Sequence, residues 1–242
     1  MKPTSEMVHG LRAGLAVCAA RPADVVELLY AREIEREVTP VLAGLRKTRA
    51  AIRAVPPKEL ERIARSPQHE GLVVFAKERA WLSAKELAER LTKRKSVAVA
   101  LDRVRNSYNI GAIARGAAFF GVDAMLLGAP APHPGLDGNA VRVAEGGVEN
   151  LALSRTTDLA DTLARMKERG IEIVGTDGQS PNDVRSAKLA GPLVVVLGNE
   201  REGLAPRVRA VCSRLVSIRG SGAVESLNVA VAAGVIFSRV GS

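Results

Sequence analysis

Two periodicities alternate along this 242-residue chain, and together they predict an α/β protein. Short apolar runs bounded by turn residues mark strands at Val25–Tyr30 (VVELLY), Leu72–Ala76, Ser96–Leu101 (SVAVAL), Ala124–Leu127, Ile171–Gly175, Leu193–Leu197 and Leu215–Ile218. Between them the spacing predicts helices from Gly10 through Val17, over Thr39–Thr48, from Pro57, from Ile110, after Leu159 and over Val229–Phe237. Pro57 suits a helix entry, where its missing N–H would have no intrahelical partner anyway. From Ser96 onward strands and helices alternate, the pattern of a parallel sheet covered by helices.

The pattern changes character twice. Met7 to about Lys77 reads as a small α/β unit, and residues 78–95 (ERAWLSAKELAERLTKRK) form a charged stretch with six basic and three acidic residues. Trp81, Leu82, Leu87 and Leu91 line one face if that stretch is helical. The expected division is therefore a domain at 1–77, a charged linker at 78–95 and a domain at 96–242. Within the last, Ala129–Gly138 (APAPHPGLDG) is a Pro/Gly loop.

A hydrophobic content of 47% supports a sizeable core, and with 3% aromatic residues it must be built from Ala, Val, Leu and Ile. The formal charge is +9, and residues 1–95 hold 19 Lys/Arg against 12 Asp/Glu while the remainder holds 16 against 14. Such a surplus suggests a polyanionic partner, and it sits in the first part of the chain. Cys18 and Cys212 lack C-x-x-C spacing and His9, His69 and His133 are scattered, so neither a disulfide framework nor a metal centre is expected. Leu15–Ala20 is too short and too closely flanked by arginines for a signal peptide, and Val229–Phe237 is too short to span a bilayer. The expectation is a soluble, cytoplasmic protein.

The chemistry is concentrated in three stretches, each a strand, a glycine-bearing turn, a polar residue and a helix. Leu101–Val122 carries Asn109, Gly111 and Arg115; Leu193–Leu204 (LVVVLGNEREGL) carries Gly198 and Glu200; Ile218–Val240 opens with Arg219-Gly220-Ser221-Gly222 and presents Glu225, Ser226 and Asn228. Ser226 is placed as an N-cap of the final helix. Ligands gather where such strands end. The motifs N-x-G-A-x-x-R (Asn109–Arg115), L-G-x-E-x-x-G-L (Leu197–Leu204) and S-L-N-V (Ser226–Val229) resemble the signatures of the SpoU (TrmH) family of RNA 2′-O-ribose methyltransferases, in the SPOUT superfamily. They occur in the family's order and at about its spacing. The first segment is similar, more loosely, to the L30e-like RNA-binding domain that many relatives carry. The H-x-G at His69–Gly71 before an apolar strand is part of that likeness, with His69 read as closing a turn.

The resemblance implies a trefoil-knotted α/β catalytic domain and a homodimer. S-adenosylmethionine would be held chiefly by backbone groups at Thr176, Leu197, Gly198, Ile218 and Leu227. The substrate would be RNA, ribosomal RNA in preference to transfer RNA. Arg115 would act on the ribose 2′-hydroxyl, as a base or as a phosphate clamp that polarises it. Asn109, Glu200 and Asn228 would fix the loops around it, and Ser226 would bond the substrate or cap the helix.

Three positions depart from the family pattern: Glu145 where a small residue is common, Arg219 where proline is common, and Ala230 for a frequent serine. Other members of the same layout include antibiotic-resistance rRNA methyltransferases, and a knot retained only for RNA binding or ribosome assembly would keep the same fold. A nicotinamide-dependent enzyme is disfavoured, because no G-x-G-x-x-G follows a strand.

Overall fold

The computed structural model describes residues 5–128 and 136–240, and their backbone gathers into two compact units. The first takes the chain up to Ala80 together with Leu136–Glu149; the second takes Trp81 to Gly128 and Asn150 to Val240.

In the first unit β1 (Ser5–His9), α1 (Leu11–Ala20), β2 (Val25–Tyr30), α2 (Glu35–Leu45), β3 (Ala51–Ala54), α3 (Pro57–Ala64) and β4 (Leu72–Lys77) follow in order. The sheet order is β1-β4-β2-β3, with β4 antiparallel to both neighbours and β3 parallel to β2. Alternation along β2 sends Leu28 into a core with Val17, Val38 and Leu45, and Leu29 into a second core with Leu60 and Val73. Helix α2 starts at Glu35 rather than at Thr39 and ends at Leu45. The expected start placed Pro40 in the first turn, where proline is favoured; instead the helix runs through it. His69 closes a turn, as expected: its Nδ1 accepts from the Gly71 N–H at 3.0 Å.

Helix α6 (Gly138–Val143), although it lies between two strands of the second unit in sequence, belongs to the first. Val141 enters the same core as Leu28, and buried charges tie down the segment's end. Glu149 accepts from Arg21 Nε at 2.9 Å and pairs with Arg79 at 3.1 Å, while both arginines also hold Glu6. Of the loop expected at Ala129–Gly138, residues 129–135, with His133, lie outside the described residues.

The second unit opens with α4 (Ala84–Arg94), followed by β5 (Val97–Asp102), α5 (Ser107–Phe119), β6 (Ala124–Gly128), β7 (Ala152–Thr156), α7 (Leu159–Glu168), β8 (Glu172–Thr176), β9 (Leu193–Leu197), α8 (Pro206–Val211), β10 (Arg214–Val216) and α9 (Val229–Phe237). All six strands are parallel, in the order β10-β8-β9-β5-β6-β7. Every residue of β5, β6 and β9 is buried, as a sheet covered on both faces requires. Helices α4, α7 and α8 pack on one face through Leu87, Leu163 and Val208, and α5 and α9 pack against each other.

The stretch read as a charged linker thus contains a helix of this unit. Ser83 and Glu86 form a capping box, Leu87 and Leu91 are buried, and Arg90 grips Asp123 through two bonds of 2.7 Å. Arg94 joins the same carboxylate at 3.0 Å. Among the described residues no helix is long and apolar enough to cross a membrane.

Candidate active site

The carboxyl ends of β8 and β9, the segment after β10 and the start of α9 enclose a cavity of about 330 Å³. Six of the expected site residues line it: Thr176, Gly198, Glu200, Ile218, Ser226 and Leu227. Leu197, also expected there, is the buried last residue of β9, and the lining begins one residue later. The floor is apolar, with Leu204, Val216, Val229 and Ile236.

The loop after β9 is built for close approach. A Cβ at Gly198 would lie 2.5 Å from the Gly203 carbonyl carbon, so a side chain there would force the turn open. Asn199 and Gly203 exchange backbone bonds of 3.1 and 2.9 Å, and Gly203 takes φ +65°. Asn199 Oδ1 accepts from Arg201 and Glu202 N–H groups at 2.9 and 3.2 Å.

A brace from the end of β5 holds the outer side of this loop, and sequence reasoning missed it. Arg103 sits at φ +58°, a conformation that side chains resist. Its carbonyl accepts from Asn199 Nδ2 at 3.2 Å, its guanidinium donates to the Gly203 carbonyl at 3.0 Å, and it also pairs with Glu202. Asp102, only 3% exposed, accepts from the Ala205 N–H at 2.6 Å. The one signal in the sequence was a charged pair at a predicted strand end. Asp177 and Arg209 were missed as well: both line the cavity and form an ion pair at 2.6 Å. The Gln179 N–H, and then the Arg209 guanidinium, hold the Asp177 carboxyl below the usual carboxylate range.

On the inner side the three motifs meet. Asn109 Nδ2 donates to Glu200 Oε1, and Asn109 Oδ1 accepts from Asn228 Nδ2 at 3.0 Å. Residues 91 and 119 positions from Asn109 in the chain are thereby joined through one side chain. Asn228 is also the N-cap of α9, accepting from Ala230 and Val231 N–H groups at 2.9 and 3.4 Å. Ser226 therefore does not cap: it stands two residues short of the helix, exposed at the cavity. Likewise α5 begins at Ser107, not Ile110, with Asn106 as its cap.

Arg115, Asn109 and Asn228 do not line the cavity. Arg115 lies on the exposed side of α5; spacings of seven and four set it on one helix face with Tyr108 and Phe119, which are 51% and 82% exposed. Arg219 is directed elsewhere: its guanidinium donates to the Pro181 carbonyl at 3.0 Å. Glu145 lies in the segment of the first unit, paired with Arg12 at 3.5 Å. Among the described residues no cluster of His, Cys, Asp and Glu could hold a metal ion.

Comparison with known proteins bears on both units. Residues 96–238 match the SpoU rRNA Methylase family, and residues 7–82 match the family described as RNA 2′-O ribose methyltransferase substrate binding. The 23S rRNA (guanosine-2′-O-)-methyltransferase RlmB of Vibrio vulnificus is 33% identical over 235 residues, spanning 96% of this chain and 94% of that one. The protein of the same name from Shewanella oneidensis is 35% identical, over 95% of this chain and 94% of its own. Among solved structures, the SpoU methyltransferase AviRb from Streptomyces viridochromogenes, in complex with AdoMet, superposes with a TM-score of 0.79 at 26% identity, over 97% of this chain and 88% of that one.

Proposed function

The chain belongs to the SpoU rRNA methylase family, and from that membership we propose that it transfers a methyl group from S-adenosylmethionine to a ribose 2′-hydroxyl of 23S ribosomal RNA, at a guanosine. The observation that carries this reading is the junction of three distant motif residues, Asn109, Glu200 and Asn228, beside a cavity of about 330 Å³ at the strand ends. The substrate follows the relatives: those named for 23S rRNA guanosine match over about 95% of the chain, the N-terminal unit included. A division of labour between a substrate-binding part ending near residue 77 and a catalytic part from residue 96 is part of the same proposal.

The cavity suits such a cofactor. Its walls are turns that offer backbone groups, its floor is apolar enough for a purine, and the Glu225 carboxylate stands at the lining. Thr176, Leu197, Gly198, Ile218 and Leu227 would hold it, mainly through the main chain; the Thr176 hydroxyl itself is engaged, donating to the Val196 carbonyl at 3.1 Å. The bound sulfonium supplies an already activated methyl group, so positioning and charge stabilisation are what the protein must add.

A ribose hydroxyl is a poor nucleophile at neutral pH. Arg115 clamps the RNA phosphate through its guanidinium and stabilises negative charge developing on the 2′-oxygen. Asn109 orders the start of α5, the helix that carries Arg115, against Glu200 and Asn228. Ser226, exposed at the cavity with its hydroxyl not used as a cap, bonds the substrate. The run of residues 217–240 beside the β8–β9 connection, with bridges at Asp183–Ser217 and Leu189–Val240, supports the family's knot in this region. Tyr108, Phe119 and Val231, exposed on α5 and α9, support a homodimer formed through these helices.

Calorimetric titration with S-adenosylhomocysteine, followed by transfer of labelled methyl to a 23S rRNA transcript, tests the reading. Saturable binding at about one molecule per chain and a single 2′-O-methylguanosine are expected. Well-folded protein that neither binds cofactor nor labels RNA would refute it.

A further inference from the structure

We infer that the outer edge of the first unit's sheet, comprising the turn at residues 46–50, strand β3 and helix α3, is a docking surface for the RNA phosphodiester backbone. The inference rests on the reading of the chain as an RNA-modifying enzyme and adds where the nucleic acid is first held.

Most basic residues of the first unit fall into two sets; Arg32 and Arg36, exposed among Glu33, Glu35 and Glu37, and Lys77, paired with Asp24 at 3.8 Å, belong to neither. Arg12, Arg21, Arg79 and Arg142 are committed to carboxylates: Glu145, the Glu6 and Glu149 pair, and Glu70. Arg21 and Arg79 are largely buried, and turning either toward a phosphate would strand a buried carboxylate. The second set lies along residues 46–65, with seven basic side chains against two acidic ones. Arg46, Lys47, Arg49, Lys58, Arg62 and Arg65 are all exposed, and among the described residues none of them forms an ion pair. Only Arg53 has a partner, Glu27 at 2.9 Å, and its side chain remains 54% exposed. This short run carries more than half of the formal excess of +9.

Placement makes the set usable. β3 pairs with β2 on one side and, among the described residues, with no strand on the other, and Ala51, Arg53 and Ala54 are exposed. Charges on an edge strand also prevent pairing with other chains. That task needs charge on the strand alone, however, whereas six of the seven lie in the turn before it or on and after α3. Along β3, from Ala51 to Ala54, the backbone rises about 10 Å at roughly 3.3 Å per residue. A duplex presents one charge per about 1.7 Å of its axis, so a strip of this length faces several phosphates. The run contains no aromatic residue on which a base could stack. The contact is therefore ionic and indifferent to sequence, and selection of the nucleotide falls to the second unit.

The test uses the full chain with R46Q, R49Q and R53Q combined, beside a control that removes the same charge from the second unit, K85Q, R165Q and R169Q. Affinity for a 23S rRNA transcript is measured by filter binding between about 50 and 200 mM salt. The edge variant should bind at least about tenfold more weakly, with a salt slope smaller by about two. It should bind S-adenosylhomocysteine as the parent does and keep kcat at saturating RNA. The control should stay within about twofold. An edge variant with parental affinity and slope overturns the inference. So does a control that loses as much, because net charge would then explain everything. A parent chain that does not bind cofactor or methylate RNA overturns the functional reading instead, and the docking surface with it.

Discussion

The polar residues at the strand ends of the second unit and those along the edge of the first are treated in opposite ways. At the strand ends most of the polar side chains are fixed by a partner: Asn109 by Glu200 and Asn228, Asn199 by Arg103, Asp177 by Arg209. Along residues 46–65 the basic side chains are left exposed, and among the described residues Arg53 alone of them forms an ion pair. A reaction that depends on sub-ångström placement needs orientation settled before the substrate arrives. Long-range attraction to a polyanion needs only density of charge, and mobile side chains serve it well. An exposed, largely unpaired edge thus suits the gathering of RNA, and the braced strand ends suit the placement of what reacts.

Substitutions can break that contrast at several strengths. Arg115→Ala should have the largest effect, lowering methyl transfer by about 100- to 1000-fold while cofactor affinity stays within about twofold; near-parental turnover would remove Arg115 from the chemistry. Glu149→Ala leaves the buried Arg21 and Arg79 to share Glu6 alone and should lower stability by about 3 kcal/mol, read as a shift of the urea midpoint, with cofactor affinity unchanged in the folded protein. Asn109→Ala cuts both bonds of the motif junction and should reduce kcat/KM by about 10- to 100-fold with a smaller change in KM for cofactor. Arg103→Gly suits the positive φ and so preserves the backbone while removing the brace; cofactor affinity should fall by about fivefold with the melting temperature held or raised.

The smallest effect concerns pH. Burial pushes the Cys18 thiol up to about 12 and the Cys212 thiol up to about 11, so the folded state favours their protonated forms. Their contribution to stability is complete below the ordinary thiol value near 9 and is lost as pH rises toward 11–12. A thiol reagent at pH 8 should leave the buried Cys18 unmodified until the chain unfolds and react only slowly with the half-buried Cys212; rapid labelling of Cys18 in native protein would contradict its burial.

What could be read from the sequence followed signal strength. The strands Val25–Tyr30, Ser96–Leu101, Ala124–Leu127 and Leu193–Leu197 are interior strands with predominantly apolar runs, and all are found within a residue of their expected bounds. β3 and β7 were invisible because each is an edge strand, and AIRA or ALSRT has neither an apolar run nor clean alternation. At the site, motif residues were legible because a glycine turn after a strand is a local signal. The junction of Asn109 with Glu200 and Asn228 was not, since no local pattern reports which distant side chains will touch. The choice of Asn228 over Ser226 as the cap turned on a two-residue boundary, the least determined feature of any helix.

The placement of Leu136–Glu149 in the first unit also orders events during synthesis. Chain growth at about 5–20 residues per second separates Ala80 from Glu149 by roughly 3 to 14 s. Throughout that interval Arg21 and Arg79 wait for the carboxylate that completes their buried cluster, and the core around Leu28 waits for Val141. A nascent first unit is therefore an open form, exposed to chaperones and proteases until the middle of the chain has emerged. The second unit closes later still, since Asn228 and α9 follow every strand of its sheet. Substitutions that weaken the Glu149 cluster should accordingly lower yield in cells more than they lower the activity of purified protein.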